Sequence, residues 1–389
     1  MACREKNNGA LSAVELIAER GLEGLPEALT MLINTAMRLE RERHLGVESY
    51  ERSEQRRGYA NGYKPKTVKT RVGELTLAVP QVREGGFYPQ SLEKGLRSER
   101  ALKLAVAEMY VTGVSTRKVA RITEQLCGFE VSSAQVSRCA AMLDEELAAW
   151  RSRPLGAYAY VVLDARYESV RHAGQVVDAA VLLALGVRAD GKREILGVSS
   201  KLSEAEVHWR EFLVDLKDRG LHGVKLFVSD DHAGLKAARK AVFPSVPWQR
   251  CQFHLQQNAG AYVPRQDMRK AVAAAIRDIF NAPDAAEAKR LLERFIAKYQ
   301  SKAPKLAAWA AEALPEGMAV FSFPASHRRR LRTTNALERV NKEIKRRTRV
   351  ATLFPNEQSC ERLVTAVAME ISEEWVTGRI YLNMEVAAE

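Results

Sequence analysis

Residues 157–201 carry three successive apolar runs, "AYVVLDARYESV", "QVVDAAVLLALGV" and "REILGVSS". "HAG" separates the first two and "RADGK" the last two, and both are turn signals short enough to make hairpins. After them come an amphipathic helix, "EAEVHWREFLVDLKDRG", a strand, "VKLFVSD", a helix, "HAGLKAARKAV", and a short strand, "PWQRCQF". The order β-β-β-α-β-α-β predicts an α/β domain in which an antiparallel meander is extended by crossover strands.

The first run raises a chemical problem. Asp164 interrupts the apolar stretch Ala159–Leu163, and an unpaired charge is costly to desolvate in a buried strand. Two further acidic residues stand in comparable places. Asp230 ends the fourth strand, in "LFVSDDHAGL", and strand ends are where sites lie in α/β sheets. Its neighbour Asp231 directly precedes a helix, where it is expected to cap free N–H groups, so Asp230 is the one left available. Glu338 sits in "TTNALERVNKEIKRR", whose Leu337, Val340 and Ile344 form an apolar stripe, with Glu338, Asn341, Lys342 and Lys345 on the adjoining face. In isolation Glu338 suits an ordinary i, i+4 ion pair with Lys342. Separations of 66 and 108 residues make the three carboxylates a tertiary site if they meet. Carboxylates from two strands and a helix suit a hard cation, Mg²⁺ or Mn²⁺. Two such ions, roughly 3.5–4 Å apart, support in-line phosphoryl transfer.

Charge points to the substrate. The chain has a net charge of +12, and residues 327–349, "HRRRLRTTNALERVNKEIKRRTR", hold ten Lys or Arg against two Glu, a local +8. Such focusing suits phosphate contacts, with Arg328, Arg330, Arg332, Lys342, Lys345 and Arg346 as candidates, better than general solubility. Upstream, "GVSTRKVARITEQLCGFEVSSAQVSRCAAMLDEELAAW" reads as two helices, the second spanning 132–148, joined at Gly128 and capped by Ser115 and Ser133. That is a helix-turn-helix candidate, with Arg117, Lys118, Arg121 and Arg138 as DNA contacts. Residues 1 to about 48 read as helical, and "KTVKTRV" and "ELTLAV" as a small β unit joined at Gly73, either a DNA-contacting hairpin or a solvated linker. Residues 255–325 are helical and Ala-rich, an expected insertion. Five scattered cysteines, Cys3, Cys127, Cys139, Cys251 and Cys360, argue against a disulfide framework. No apolar run reaches the roughly 18–20 residues of a membrane span, and "MACREKNNGALSAVEL" lacks a signal-peptide h-region, so the expected location is cytosolic.

"VVLDARY", "VSDDHAGLKAARKAVFPSVPWQRCQFHLQQNA" and "TTNALERVNKEIKRRTRV", in this order, resemble the bacterial Mutator-type insertion-sequence transposases, and "YANGY", "KTVKTRVGELTLAVPQVREGGFYP" and "EMYVTGVSTRKVARI" resemble their N-terminal half. The resemblance implies a ribonuclease H-like catalytic domain with an Asp-Asp-Glu triad falling on Asp164, Asp230 and Glu338. It implies two Mg²⁺ or Mn²⁺ ions held by these residues, and double-stranded DNA, terminal inverted repeats and target, bound by a homodimer. It divides the chain into a DNA-binding region (1–97), a helix-turn-helix-like region (98–152), the first part of the catalytic core (153–254), a helical insertion (255–325) and the last part of the core (326–389). "CQFH" matches the family's Cys-x-x-His signature at Cys251 and His254. Asp231 departs from the small residue often found after the second Asp. Zinc at Cys251 and His254 would need two more ligands, so a structural pair beside the site is the favoured reading. Trp248 is either a core aromatic or a stacking platform for a flipped base. Two other functions stay open: a DNA-binding regulator with an inactive α/β domain, and a general nuclease of the same fold.

Overall fold

The computed structural model describes residues 8–83, 86–349 and 353–385, with side chains described from residue 11; Cys3 lies outside them. The chain divides into two compact units, residues 1–143 and 144–389.

The first unit opens with α1 (Asn8–Arg20) and α2 (Leu25–Leu45). The hairpin β1 (Ala60–Thr70) and β2 (Gly73–Val82) follows, in antiparallel register. Leu75, Leu77 and Val79 alternate inward and pack with Met37 and Val68, so this β unit is a folded element with its own core, not a linker. Three helices complete the unit: α3 (Arg100–Val111), α4 (Thr116–Cys127) and α5 (Ser133–Ala140). Ser115 caps α4, and Gly128 ends it in the left-handed region at φ 72°. The cap of α5 is Ser132 rather than Ser133: its hydroxyl accepts from the Gln135 amide while the Gln135 side chain accepts from the Ser132 amide, a reciprocal capping box. The helix expected over 132–148 is also interrupted. A 3₁₀ turn covers Ala141–Leu143, and a new helix, α6 (Asp144–Ser152), begins the second unit. Asp144, Glu145 and Glu146 fill its first turn, where carboxylates favour a helix start.

The second unit is built on β3 (Tyr158–His172), β4 (Gln175–Arg188), β5 (Arg193–Lys201), α7 (Glu206–Asp218), β6 (Leu226–Ser229), α8 (Ala233–Val242) and β7 (Trp248–Arg250). Their order is the one expected, and the sheet runs β5-β4-β3-β6-β7, the first three antiparallel and the last three mutually parallel. The β4–β5 turn shows why it needs glycine. Gly191 has φ +78°, and a Cβ there would lie 1.8 Å from the Leu382 carbonyl, because the amides of Tyr381 and Leu382 both donate to the Gly191 carbonyl. The last strand ends at Arg250, earlier than "PWQRCQF" implies, because Cys251 turns the chain into α9 (Gln252–Ala259).

Next come α10 (Arg269–Phe280), α11 (Ala285–Tyr299) and α12 (Pro304–Ala313), which bury Ile276, Phe295, Leu306 and Ala310 in a separate core. The chain returns through α13 (Ala325–Leu331), α14 (Asn335–Thr348) and α15 (Glu357–Thr377). The sheet is buried on both faces. Tyr160, Val162, Leu183 and Val228 pack with Leu337, Val340, Ile344 and Val364 of α14 and α15. Val161, Leu163, Leu182 and Phe227 pack with Trp209, Phe212 and Leu213 of α7 on the other side. This sandwiching explains why the strands read as near-continuous apolar runs.

Candidate active site

Strand register brings the two aspartates together. On the parallel neighbours β3 and β6, Tyr160 pairs with Leu226 and Val162 with Val228, all four in the core shared with α14 and α15. Two residues further along each chain stand Asp164 and Asp230. The side chain of Asp164 follows the same face, because its Oδ2 accepts from Asn341 Nδ2 of α14 at 2.8 Å. Asp164 Oδ1 accepts from the Ala165 amide. Further along β3 two more contacts hold α14: Arg166 donates to the Asn341 carbonyl, and Glu168 accepts from Thr348 Oγ1 at 3.1 Å.

Burial pushes the Asp164 carboxyl from 3.8 to about 7; the Ala165 amide and His254 oppose the rise, and the charges of Asp230 and Glu204 add to it. Asp230 shows the complementary sign of an unmet acceptor, since its Oδ1 is buried with no hydrogen-bond donor. His254 Nδ1 is 3.7 Å from that oxygen, beyond hydrogen-bonding range, and is itself unpartnered.

Asp231 is occupied, though not as a cap. His232 is the N-cap of α8 and makes no side-chain cap bond. Asp231 instead pairs with Arg250 at 2.9 Å and with Lys236 at 3.1 Å. Glu316, on the return from the helical insertion, pairs with the same two cations at 2.9 and 2.8 Å. Asp231 therefore belongs to a four-charge network, and Asp230 is the aspartate of "SDD" that faces Asp164.

Glu338 lies one turn before Asn341 on α14, half-buried, above an apolar stripe of Leu337, Val340 and Ile344 that is fully buried. The ion pair with Lys342 does not form, and among the described residues no hydrogen bond or ion pair joins Glu338 to either aspartate. No group of three or more His, Cys, Asp or Glu among the described residues is gathered tightly enough to enclose an ion. The donor chemistry nonetheless fits a hard cation: a buried, unpartnered Asp230 oxygen, an Asp164 carboxyl held up by burial and like charge, and the unpartnered Asn341 Oδ1, all oxygen atoms.

Cys251 and His254 form a structural joint beside the aspartates. The Cys251 amide donates to the Ser229 carbonyl, the Gln252 amide donates to the Arg332 carbonyl, and Thr334 Oγ1 reaches Cys251 Sγ at 3.5 Å. The joint thus ties the end of β6 to the start of α14. Burial pushes the Cys251 thiol up, but its bonds with His254 and Thr334 outweigh this and leave it below the usual thiol value. The bond to Cys251 raises His254 against its burial, and the charges of Cys251, Asp230 and Asp164 carry it to about 9. Trp248 is an edge-strand residue, its Nε1 donating to Ser229 Oγ at 2.9 Å and its ring covered by Lys236 at 4.7 Å.

The basic run divides by direction. Arg328 is committed to the carbonyls of Phe323, Pro283 and Phe321, which takes it out of the phosphate-binding set. Arg332 donates to Asn281 Oδ1, Arg330 lies over the Tyr381 ring, and Arg346 forks onto Glu343 at 2.6 and 2.9 Å. Lys342 and Lys345 are exposed, and among the described residues their side chains make no hydrogen bond or ion pair. In the first unit Arg117, Lys118, Arg121 and Arg138 are exposed.

Spacing gave no notice of Glu204. It lies in the loop before α7, 3.6 Å from His232, and its charge reaches Asp164. Gly234 makes the approach possible, because a Cβ there would lie 2.6 Å from the Glu204 carbonyl. Asn341 was visible as part of the Glu338 face but not as the partner of Asp164.

Residues 5–378 match the family described as Transposase, Mutator family. The chain belongs to the Mutator family of transposases. It is 59% identical to the transposase for insertion sequence element IS406 of Burkholderia multivorans, covering 98% of this chain and 99% of that one. It is 38% identical to the IS1081 transposase of Mycobacterium tuberculosis, covering 96% and 91%. The IS256 transposase in transposon Tn4001 of Staphylococcus aureus is 37% identical, over 92% of each chain. No helix among the described residues is long and apolar enough to cross a membrane.

Proposed function

We propose that this transposase binds the terminal inverted repeats of an insertion sequence, cleaves DNA there in a metal-dependent reaction and transfers the 3′ ends to target DNA. Asp164, Asp230 and Glu338 form its acidic triad, in a ribonuclease H-like domain. The observation that carries this reading is Asp164 on β3 and Asp230 directly after its parallel neighbour β6, with the helix bearing Glu338 bonded to Asp164 through Asn341. The sheet order, a three-stranded meander followed by two parallel crossover strands, supports the domain type.

In this reading Asp164, Asp230 and Glu338 hold two Mg²⁺ or Mn²⁺. Such a pair supplies charge neutralisation at the scissile phosphate and makes the attacking hydroxyl more acidic. Asn341 orients the Asp164 carboxylate, His254 faces Asp230, and Lys342 and Lys345 grip phosphates next to the cut. The first unit binds the ends, with Arg117 and Lys118 among its contacts, and two copies act on paired ends.

The deciding experiment is cleavage of duplexes carrying the element's own ends. Cleavage with Mg²⁺ or Mn²⁺, abolished by EDTA, is expected; activity that survives exhaustive chelation defeats the metal reading. A wild-type chain that binds the ends but never cuts them favours the regulator, and cutting without preference for the ends favours a general nuclease.

Two quantitative expectations follow from the site. Asp164 binds its proton up to about pH 7 when folded, far above its ordinary 3.8. The folded chain therefore holds more protons than the unfolded chain between these values, and the stability from this group is full below the lower one and lost as pH rises through the upper one. Cations compete with that proton, so Mg²⁺ or Ca²⁺ should raise the melting temperature more at pH 8 than at pH 5. Equal shifts at both pH values would count against binding at Asp164.

The second concerns Lys342 and Lys345. Replacing both with Gln should weaken binding to end and random DNA alike and flatten the slope of log affinity against log salt by about 1.8, at about 0.9 per lost phosphate contact. An unchanged slope would leave the two lysines facing solvent.

A further inference from the structure

The first unit contains a cleft of about 640 Å³ whose walls come from β1, the segment before α3, α3 itself and α5. Lys69, Arg97, Lys103 and Arg138 line it with no carboxylate among them. A second hollow of about 450 Å³ adjoins it, sharing Lys69, Arg97 and Gln135 and adding one acid, Glu74. Sharing these walls, the two form one basic channel, with more cations than a single phosphate would need.

The walls are built, not draped. The Lys69 amide donates to the Arg97 carbonyl at 3.0 Å and the Glu99 amide to the Lys69 carbonyl at 2.8 Å, stitching the segment before α3 to β1. Lys69 Nζ lies 4.6 Å from the Phe129 ring centre, which fixes its direction. Lys103 of α3 and Arg138 of α5 both line the cleft beside Cys139; burial raises the Cys139 thiol, and the charges of these two cations oppose the rise. Below the cations the floor is apolar, with Leu102, Phe129 and Val131. Cations above an apolar floor match the alternation of phosphate and deoxyribose along one strand of a duplex.

We propose that this channel seats the sugar-phosphate backbone of one DNA strand, so that Arg138 is a phosphate contact and not the base reader expected from its helix. The proposal rests on the reading that the first unit binds DNA, and it specifies where and how. Phosphate contacts position a protein on the duplex without reading sequence. A base reader, by contrast, shows its loss only on the cognate site.

The test uses the full chain, titrated over several salt concentrations against a duplex carrying the element's own ends and a random duplex of equal length. The triple variant Arg97→Gln, Lys103→Gln, Arg138→Gln should lose affinity for both duplexes by the same factor, with the log–log salt slope reduced by about 2.7. Glu74→Gln, which removes the channel's lone acid, should tighten binding to both, and it decides the matter if the triple variant does not fold. An unchanged slope, a loss confined to the end duplex, or a Glu74→Gln affinity equal to wild type would overturn the proposal. Wild-type chain that binds neither duplex would instead overturn the DNA-binding reading itself, and the channel with it.

Discussion

Asp164→Asn, Asp230→Asn and Glu338→Gln are each expected to lower strand cleavage by on the order of 10³-fold or more, while end binding stays at the wild-type level. Each exchange keeps the side chain's shape and removes the anion, and several kcal/mol of charge stabilisation at the scissile phosphate corresponds to that factor. Stability separates this outcome from simple misfolding. Asp164 Oδ2 accepts from the Asn341 amide, and Asn341 Oδ1 has no partner. In Asp164→Asn the Asn341 amide can turn over and accept from the new side chain, since which end of an amide faces a partner is set by the network. The variant also loses a carboxyl that burial pushes up to about 7. It should melt at or above the wild-type temperature at pH 8 and yet be inactive. Near wild-type cleavage by any of the three variants removes that residue from the site.

How much of this site can be read from the chain depends on the distance over which each cause acts. Periodicity acts locally, and so the meander, the crossover strands and the stripe of Leu337, Val340 and Ile344 are legible. The pairing of β3 with β6 then sets a carboxylate inside an apolar run and one just past a strand end two residues beyond the paired Val162 and Val228. Capping is local too, and it correctly assigns Ser115 and Gly128 to α4. It misplaces the α5 cap by one residue, because "SS" offers two equivalent hydroxyls and the choice is made by Gln135 three positions after Ser132.

Where partners are far apart in sequence, local reasoning fails in a characteristic way. Asp231 looks like a helix cap because a helix follows it, yet its partners are Arg250 and Lys236. The run 327–349 looks like one basic face because its charges are counted together. Its members point in different directions, and Arg328 satisfies carbonyls at the end of the insertion while Lys342 and Lys345 face outward. Net charge carries no direction. Glu204 has no local signal at all, since only the close packing at Gly234 brings its loop to the aspartates.

The Arg250 guanidinium is expected to be the most sensitive structural group near the site. Its side chain is 6% exposed and pairs with Asp231 and Glu316, both at 2.9 Å. Asp231 adjoins Asp230, and Glu316 belongs to the segment by which the helical insertion returns to the sheet. That segment is anchored at the same place by Gln249, which donates to the Gly317 carbonyl and accepts from the Val320 amide, both at 2.8 Å. Arg250→Met keeps much of the volume and leaves two carboxylates facing each other with only Lys236 between them. Removing one partner of a buried pair costs about 3–5 kcal/mol; because Asp231 and Glu316 are about one-third exposed, the expected loss is nearer 2–3 kcal/mol. Cleavage should fall with it, since the strand end carrying Asp230 loses its brace. The double variant Arg250→Met, Glu316→Gln removes one of the stranded acids and should recover part of both the melting temperature and the activity, as coupled neighbours do. Melting curves and cleavage rates for the single and double variants decide this: equal losses in both would show that Arg250 acts through packing alone, and that the charge network does not brace Asp230.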